Sequence, residues 1–164
     1  MGIRSVSVVA ALLLGLVAGC GAEGERSAPA AKTPEAAALE VLQAWDATRA
    51  QAYERGDLGA LIQLYEPGSD LAREDRRVLA AYLRRGLVVH GMRTQVLDVA
   101  VDHFDAGTLL LRVTDRVTHA WASGSQGGVA VLPVAEPIRR RLAFVKRDER
   151  WLLVDAAPAA AYRR

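Results

Sequence analysis

Apolar and polar positions fall into three stretches of different rhythm. Val6 to Val17 is apolar, interrupted only by Ser7 and Gly15, and Gly21 to Lys32 has no apolar periodicity. From Thr33 the rhythm is helical. Leu39, Leu42, Trp45, Arg49 and Ala52 recur at three- and four-residue steps, flanked by Val41 and Tyr53, which predicts an amphipathic helix of about five turns. Thr33 can cap it, Pro34 suits its first position, Glu35 faces the positive end of its dipole, and Gly56 tolerates the positive φ that ends it. Asp57 then caps a short helix that buries Leu58, Leu61, Ile62 and Tyr65 and closes at Pro67-Gly68. Ser69 or Asp70 caps a third helix, with an apolar stripe of Leu71, Val78, Leu79, Tyr82 and Leu83. Arg73, Glu74, Arg76, Arg77 and Arg84 form its outer face, and Gly86 stops it.

Beyond Gly86 the period changes from 3.6 to 2. Thr94 to Phe104 alternates around Val96, Val99 and Val101, Asp105-Ala106-Gly107 reads as a hairpin turn, and Thr108 to Trp121 reads as one long strand. Leu109, Leu111, Val113, Asp115, Val117, His119 and Trp121 would share one face of that strand. Ser123 to Gly128 is a loop, Val129 to Val134 a short edge strand, and Ile138 to Arg147 and Trp151 to Ala156 a final hairpin; Pro158 onward is a tail. Helices followed by hairpin-linked strands predict an α+β fold: three N-terminal helices packed on a curved antiparallel sheet of four to five strands.

Composition narrows the function. The formal charge of +2 falls to +1 if Arg4 is removed with a leader, so the chain offers no argument for nucleic-acid binding. Arg139-Arg140-Arg141 and Arg163-Arg164 read as a solvated strand face and a charged tail. Cys20 is the only cysteine, which excludes a disulfide within the chain. His90, His103 and His119 are too far apart in sequence for a ligand-spaced pair, so no metal site is expected, and no cofactor motif is present. The Gly124–Gly128 segment lacks the lysine of a phosphate-binding loop. Ser123 and Ser125 lack the context of a nucleophile elbow, which argues against a hydrolase.

Two resemblances add to this reading. Arg4, the short apolar run and the ending Leu16-Val17-Ala18-Gly19-Cys20 make a secretory signal that resembles the lipobox of bacterial lipoproteins. The resemblance implies removal of residues 1–19, lipidation of Cys20, a flexible tether over 20–32 and a domain over 33–157 with a tail at 158–164. The protein would sit on the extracytoplasmic face of the cell membrane, held by its lipid. The segment Ala44–Ser69, with Gly56-Asp57, Leu64-Tyr65 and Pro67-Gly68-Ser69, and the segment Arg150–Ala157 resemble the nuclear transport factor 2-like superfamily. That resemblance implies a cone-shaped fold, which often pairs through its sheet, so a homodimer is an expectation. It also implies two kinds of function. One is non-enzymatic binding of a small apolar ligand in the cone, or of an envelope protein on the sheet. The other is isomerase, cyclase or dehydratase chemistry by acid–base residues inside the cone.

The candidate pocket residues are Tyr53, Tyr82, Asp115, His119 and Trp121. Asp115 and His119 would lie about 13 Å apart at ~3.3 Å per residue, close enough to flank a substrate but too far to touch. The competing expectation is that Asp115 pairs with an arginine across the sheet and His119 is a partly exposed strand residue. Trp45, Trp121 and Trp151 are expected in the core. No catalytic residue follows from the resemblance.

Overall fold

The structure is a computed structural model that describes residues 32–124 and 127–159. The expected leader, Cys20 and most of the expected tether lie outside the described residues, as do residues 160–164. Helix α1 spans Pro34–Arg55, α2 Leu58–Ile62 and α3 Asp70–Arg84. Each begins where the sequence places a cap. The side chains of Thr33, Asp57 and Ser69 accept from the backbone N–H of Ala36, Ala60 and Ala72 at 3.2, 2.8 and 3.1 Å. Ser69, not Asp70, is therefore the cap of α3, leaving Asp70 to face the helix dipole from the first turn.

Among the described residues seven strands follow: β1 Leu87–His90, β2 Arg93–Phe104, β3 Thr108–Thr118, β4 Trp121–Gly124, β5 Val129–Val131, β6 Ile138–Arg147 and β7 Arg150–Pro158. They form two antiparallel sheets. The larger has the order β2-β3-β6-β7 and the smaller β1-β4-β5. The fold is thus α+β, but with the strands divided between two sheets in place of the expected single sheet. The expected strand Thr108–Trp121 breaks because His119 adopts φ 56°, a left-handed conformation that ends β3 and sends the chain into the other sheet as β4. Strand β1 was not expected; Leu87-Val88-Val89-His90 is too short and too uniformly apolar to show a period of two. The tail also begins later than expected, since β7 runs through Pro158, which lies opposite Arg140.

The core lies between α1 and the larger sheet. Leu42, Leu61, Leu79, Leu109, Leu111 and Phe144 are fully buried. Trp45 meets Tyr65 and Phe144 edge-on at centroid distances of 5.5 and 6.0 Å, and its Nε1 donates to Leu64 O at 2.9 Å. Register shifts in β2 at Val96/Asp98 and Val101/His103, and between β6 and β7 at Ala143/Phe144, bend the sheet over the helix. A parallel bridge between Tyr65 and Leu153 fastens the chain after α2 to β7.

Three expected core residues lie outside. Ile62 and Val78 are each 40% exposed, and Trp121 is 37% exposed. Helix α3 turns Ala72, Asp75 and Leu79 inward, so Val78, one position from Leu79, points away. Trp151 is half-buried against Phe104.

Gly56 ends α1 at a position whose identity both backbone and packing constrain. Its φ is 65°, and a Cβ there would lie 2.8 Å from Leu83 Cδ2. The Leu83 methyl can move, so the backbone conformation sets most of the penalty. Gly56→Ala should lower stability by about 1–2 kcal/mol, read as a shift of the urea midpoint. An unchanged midpoint would show that the α1–α2 turn does not need glycine.

Candidate functional site

Helix α1 and strand β2 diverge enough to leave an open groove of about 800 Å³, lined by Leu39, Asp46, Ala50 and Glu54 from the helix and by Met92, Thr94 and Val96 on the strand side. Asp46 is the distinctive group. Its carboxyl is pushed up from 3.8 to about 6, first by burial. The positive charge of Arg49, the Thr94 hydroxyl and the charge of Arg140 oppose this shift, and the negative charge of Asp115 adds to it.

The charges around Asp46 are held elsewhere. Arg49 donates from Nε to Asp75 Oδ2 at 2.7 Å and from Nη2 to Asp75 Oδ1 at 2.5 Å. Tyr53 and Tyr65 complete the cluster, donating their hydroxyls to Asp75 Oδ1 and Oδ2 at 2.6 and 2.5 Å. Asp75 is buried and accepts four hydrogen bonds. Burial alone would raise its carboxyl, but the bonds and charge of Arg49 and the two tyrosine hydroxyls outweigh it and lower it below 3.8. For Arg49 the balance runs the same way: burial opposes its charge, and Asp75 restores it. Burial is the first cause raising both tyrosines, so both remain neutral donors. The cluster joins α1, α3 and the α2–α3 connection through one carboxylate.

A second pair closes the sheet side. Arg140 donates from Nε to Asp115 Oδ1 at 3.1 Å and from Nη2 to Oδ2 at 2.6 Å. Asp115 is buried. The expectation that it pairs with an arginine on a neighbouring strand therefore holds.

The five sequence-predicted pocket residues do not converge. Tyr53 belongs to the Asp75 cluster. Tyr82 lines a different depression, with Leu87 and Leu132. Asp115 is committed to Arg140. His119 is exposed at the turn between β3 and β4. Trp121 stands on β4 stacked against His90, at 4.1 Å between centroids and 21° between planes. The groove's apolar Leu39 and Val96 were legible as pattern positions, but its polar residues Asp46, Glu54 and Thr94 were missed as site residues; beside the groove, Arg49 left a trace, since a guanidinium at an inward position of an apolar stripe calls for a buried anion. Asp46, next to Trp45 in sequence, gave no such sign. Among the described residues, no three His, Cys, Asp or Glu side chains group as a metal site requires, and no helix is long and apolar enough to cross a membrane.

No family model matches the chain, and no curated protein matches it in sequence. Solved structures do. The intermembrane-space region of the chloroplast protein ARC6 is 14% identical with a TM-score of 0.53, over 80% of this chain and 100% of that one. The shared feature is the fold. Aln2 from a Streptomyces species is similar at 17% identity and a TM-score of 0.49, over 77% of this chain and 94% of that one. A protein of the NTF2-like family from Streptomyces avermitilis is similar at 16% identity and a TM-score of 0.45, over 76% and 99%.

Proposed function

We propose that this chain is a lipid-anchored envelope lipoprotein whose domain, a nuclear transport factor 2-like cone, binds a small molecule in the groove between α1 and β2. The observation that carries the binding reading is Asp46. It is a half-buried carboxyl held near 6 in a groove, while the neighbouring arginines are already paired with Asp75 and Asp115. A ligand that places a hydroxyl, amide or amine donor against Asp46 would supply the hydrogen bond that burial withholds. Its apolar part would lie along Leu39, Ala50, Met92 and Val96.

The acid–base alternative draws on the same residue, since a carboxyl near 6 is close to the optimum for a general base at neutral pH. It would need a second titratable group free to act on the substrate. Arg49, Tyr53, Asp115 and Arg140 are engaged with one another's clusters, and the other charged side chains on the groove wall, Glu54, Arg93 and Asp98, are exposed to solvent rather than held in a dry site beside Asp46, which favours binding over turnover in this groove.

Anchoring follows from the resemblance of Leu16–Cys20 to a lipobox. A tether of about a dozen residues would hold the groove within tens of Å of the bilayer and concentrate it near membrane partners. Native mass spectrometry of the full-length protein extracted in mild detergent tests both parts. The expected result is a mature chain starting at an acylated Cys20 and carrying a small-molecule adduct that Asp46→Leu loses. An unmodified Cys20 would overturn the anchor. A ligand-free wild type, or an adduct retained by Asp46→Leu, would overturn the groove.

A further inference from the structure

A separate cluster lies where the C-terminal part of α1 meets the small sheet. His90 ends β1 and pairs in register with Trp121 of β4, and Ser123 stands two residues along β4, on the same face as Trp121. His90 Nε2 is 2.9 Å from Ser123 Oγ. On the far side of the ring, His90 Nδ1 is 3.6 Å from Glu54 Oε1. The Trp121 indole stacks on the imidazole and fixes its plane. Glu54 favours a proton on Nδ1, which leaves the Nε2 lone pair facing the serine hydroxyl. Hydroxyl, base and orienting carboxylate are thus in series, the arrangement that activates a nucleophile. The His90 side chain keeps 24% of its surface in solvent, so the cluster is reachable.

We propose that Ser123 is a nucleophile, with His90 as its general base and Glu54 as the positioning residue, and that it takes an acyl group from activated esters. Ser123 Oγ attacks the ester carbonyl carbon while its proton passes to His90 Nε2. The bond from the acyl carbon to the leaving atom, oxygen in an ester or sulfur in a thioester, breaks, and His90 returns the proton to that atom. Water, deprotonated by His90, then attacks the Ser123 ester and releases the carboxylic acid and the free hydroxyl.

Magnitudes set the substrate class. A positioned base contributes roughly 10²–10⁴ in rate. Ser123 lies within the central strand of a three-stranded sheet and not on a strand-to-helix elbow, so its own turn does not supply elbow-type oxyanion donors, each worth about 10²–10³. Phenyl esters and thioesters, whose leaving groups need little help, fit this cluster; amides do not. The inference is independent of what the groove binds, although Glu54 borders both.

The test is phosphonylation of the full-length protein by an alkyl fluorophosphonate, in which the Oγ–P bond forms, the P–F bond breaks and fluoride leaves. The expected result is an adduct mapped to Ser123, absent in Ser123→Ala, formed about 100-fold more slowly in His90→Gln and measurably more slowly in Glu54→Gln. Glu54 is largely exposed, so that variant should fold even if His90→Gln does not. Absence of an adduct at Ser123 in the wild type would overturn the proposal, as would an unchanged labelling rate in Glu54→Gln or in folded His90→Gln.

Discussion

Replacing Asp75 with alanine is expected to destabilise the domain by about 3–5 kcal/mol, the range for removing one partner of a buried ion pair. The expected loss is this large because of what remains. Arg49 would keep a guanidinium with 21% of its side chain exposed and lose the carboxylate it bonds through two nitrogens, and the Tyr53 and Tyr65 hydroxyls would lose the acceptor they share. Removing both charges is a different perturbation. An Arg49→Met, Asp75→Leu double variant should recover much of the loss, because no isolated charge is left behind. The pH dependence has a definite sign. The folded carboxyl lies below its unfolded value of 3.8. Its contribution is therefore complete above that value and fades as the pH falls through the folded value. Urea denaturation at pH 7 measures the loss directly; a loss of less than about 1 kcal/mol for Asp75→Ala would mean that the cluster is solvated and contributes little.

Asp46→Asn should act in the opposite direction. Its carboxyl is raised from 3.8 to about 6, and each unit corresponds to about 1.4 kcal/mol. The charged form therefore opposes folding by up to about 3 kcal/mol once the pH exceeds 6. Because the folded value is the higher one, this penalty is absent below pH 3.8, grows between 3.8 and 6, and is complete above 6. The variant should thus be more stable than the parent at about pH 7.5 and equal to it at about pH 3.5. Thermal melts across that interval test the sign, and equal melting temperatures at the upper end would contradict it. A residue that weakens the fold at neutral pH while facing a groove fits the common exchange of stability for function. In the same protein preparation, Asp46→Leu should show whether the ligand depends on this carboxyl.

The local parts of this fold were legible in the sequence, and the long-range parts were not. Thr33, Asp57 and Ser69 cap their helices because a short polar side chain satisfies orphan N–H groups within three residues. The β6–β7 hairpin follows from alternation on either side of a polar turn. The division into two sheets turns on one dihedral at His119, and alternation carries no information about a residue that leaves the strand conformation. The candidate site is less legible still. Arg49 and Asp75 stand 26 positions apart on different helices, and Asp115 meets Arg140 only after β3 and β6 pair. The apolar stripe placed Leu79 of α3 inward but also Val78, which is exposed, and it gave no sign that Asp75 faces the core with three donor side chains around it.

The bridge between Tyr65 and Leu153 sets an order of assembly. Glu66 N donates to Leu153 O at 3.1 Å, and Leu153 N donates to Leu64 O at 2.9 Å, so the early helices are latched by nearly the last strand to be made. During synthesis this clasp stays open until β7, the last of the described strands, has been made. Until then the segment after α2 lacks its hold on the larger sheet.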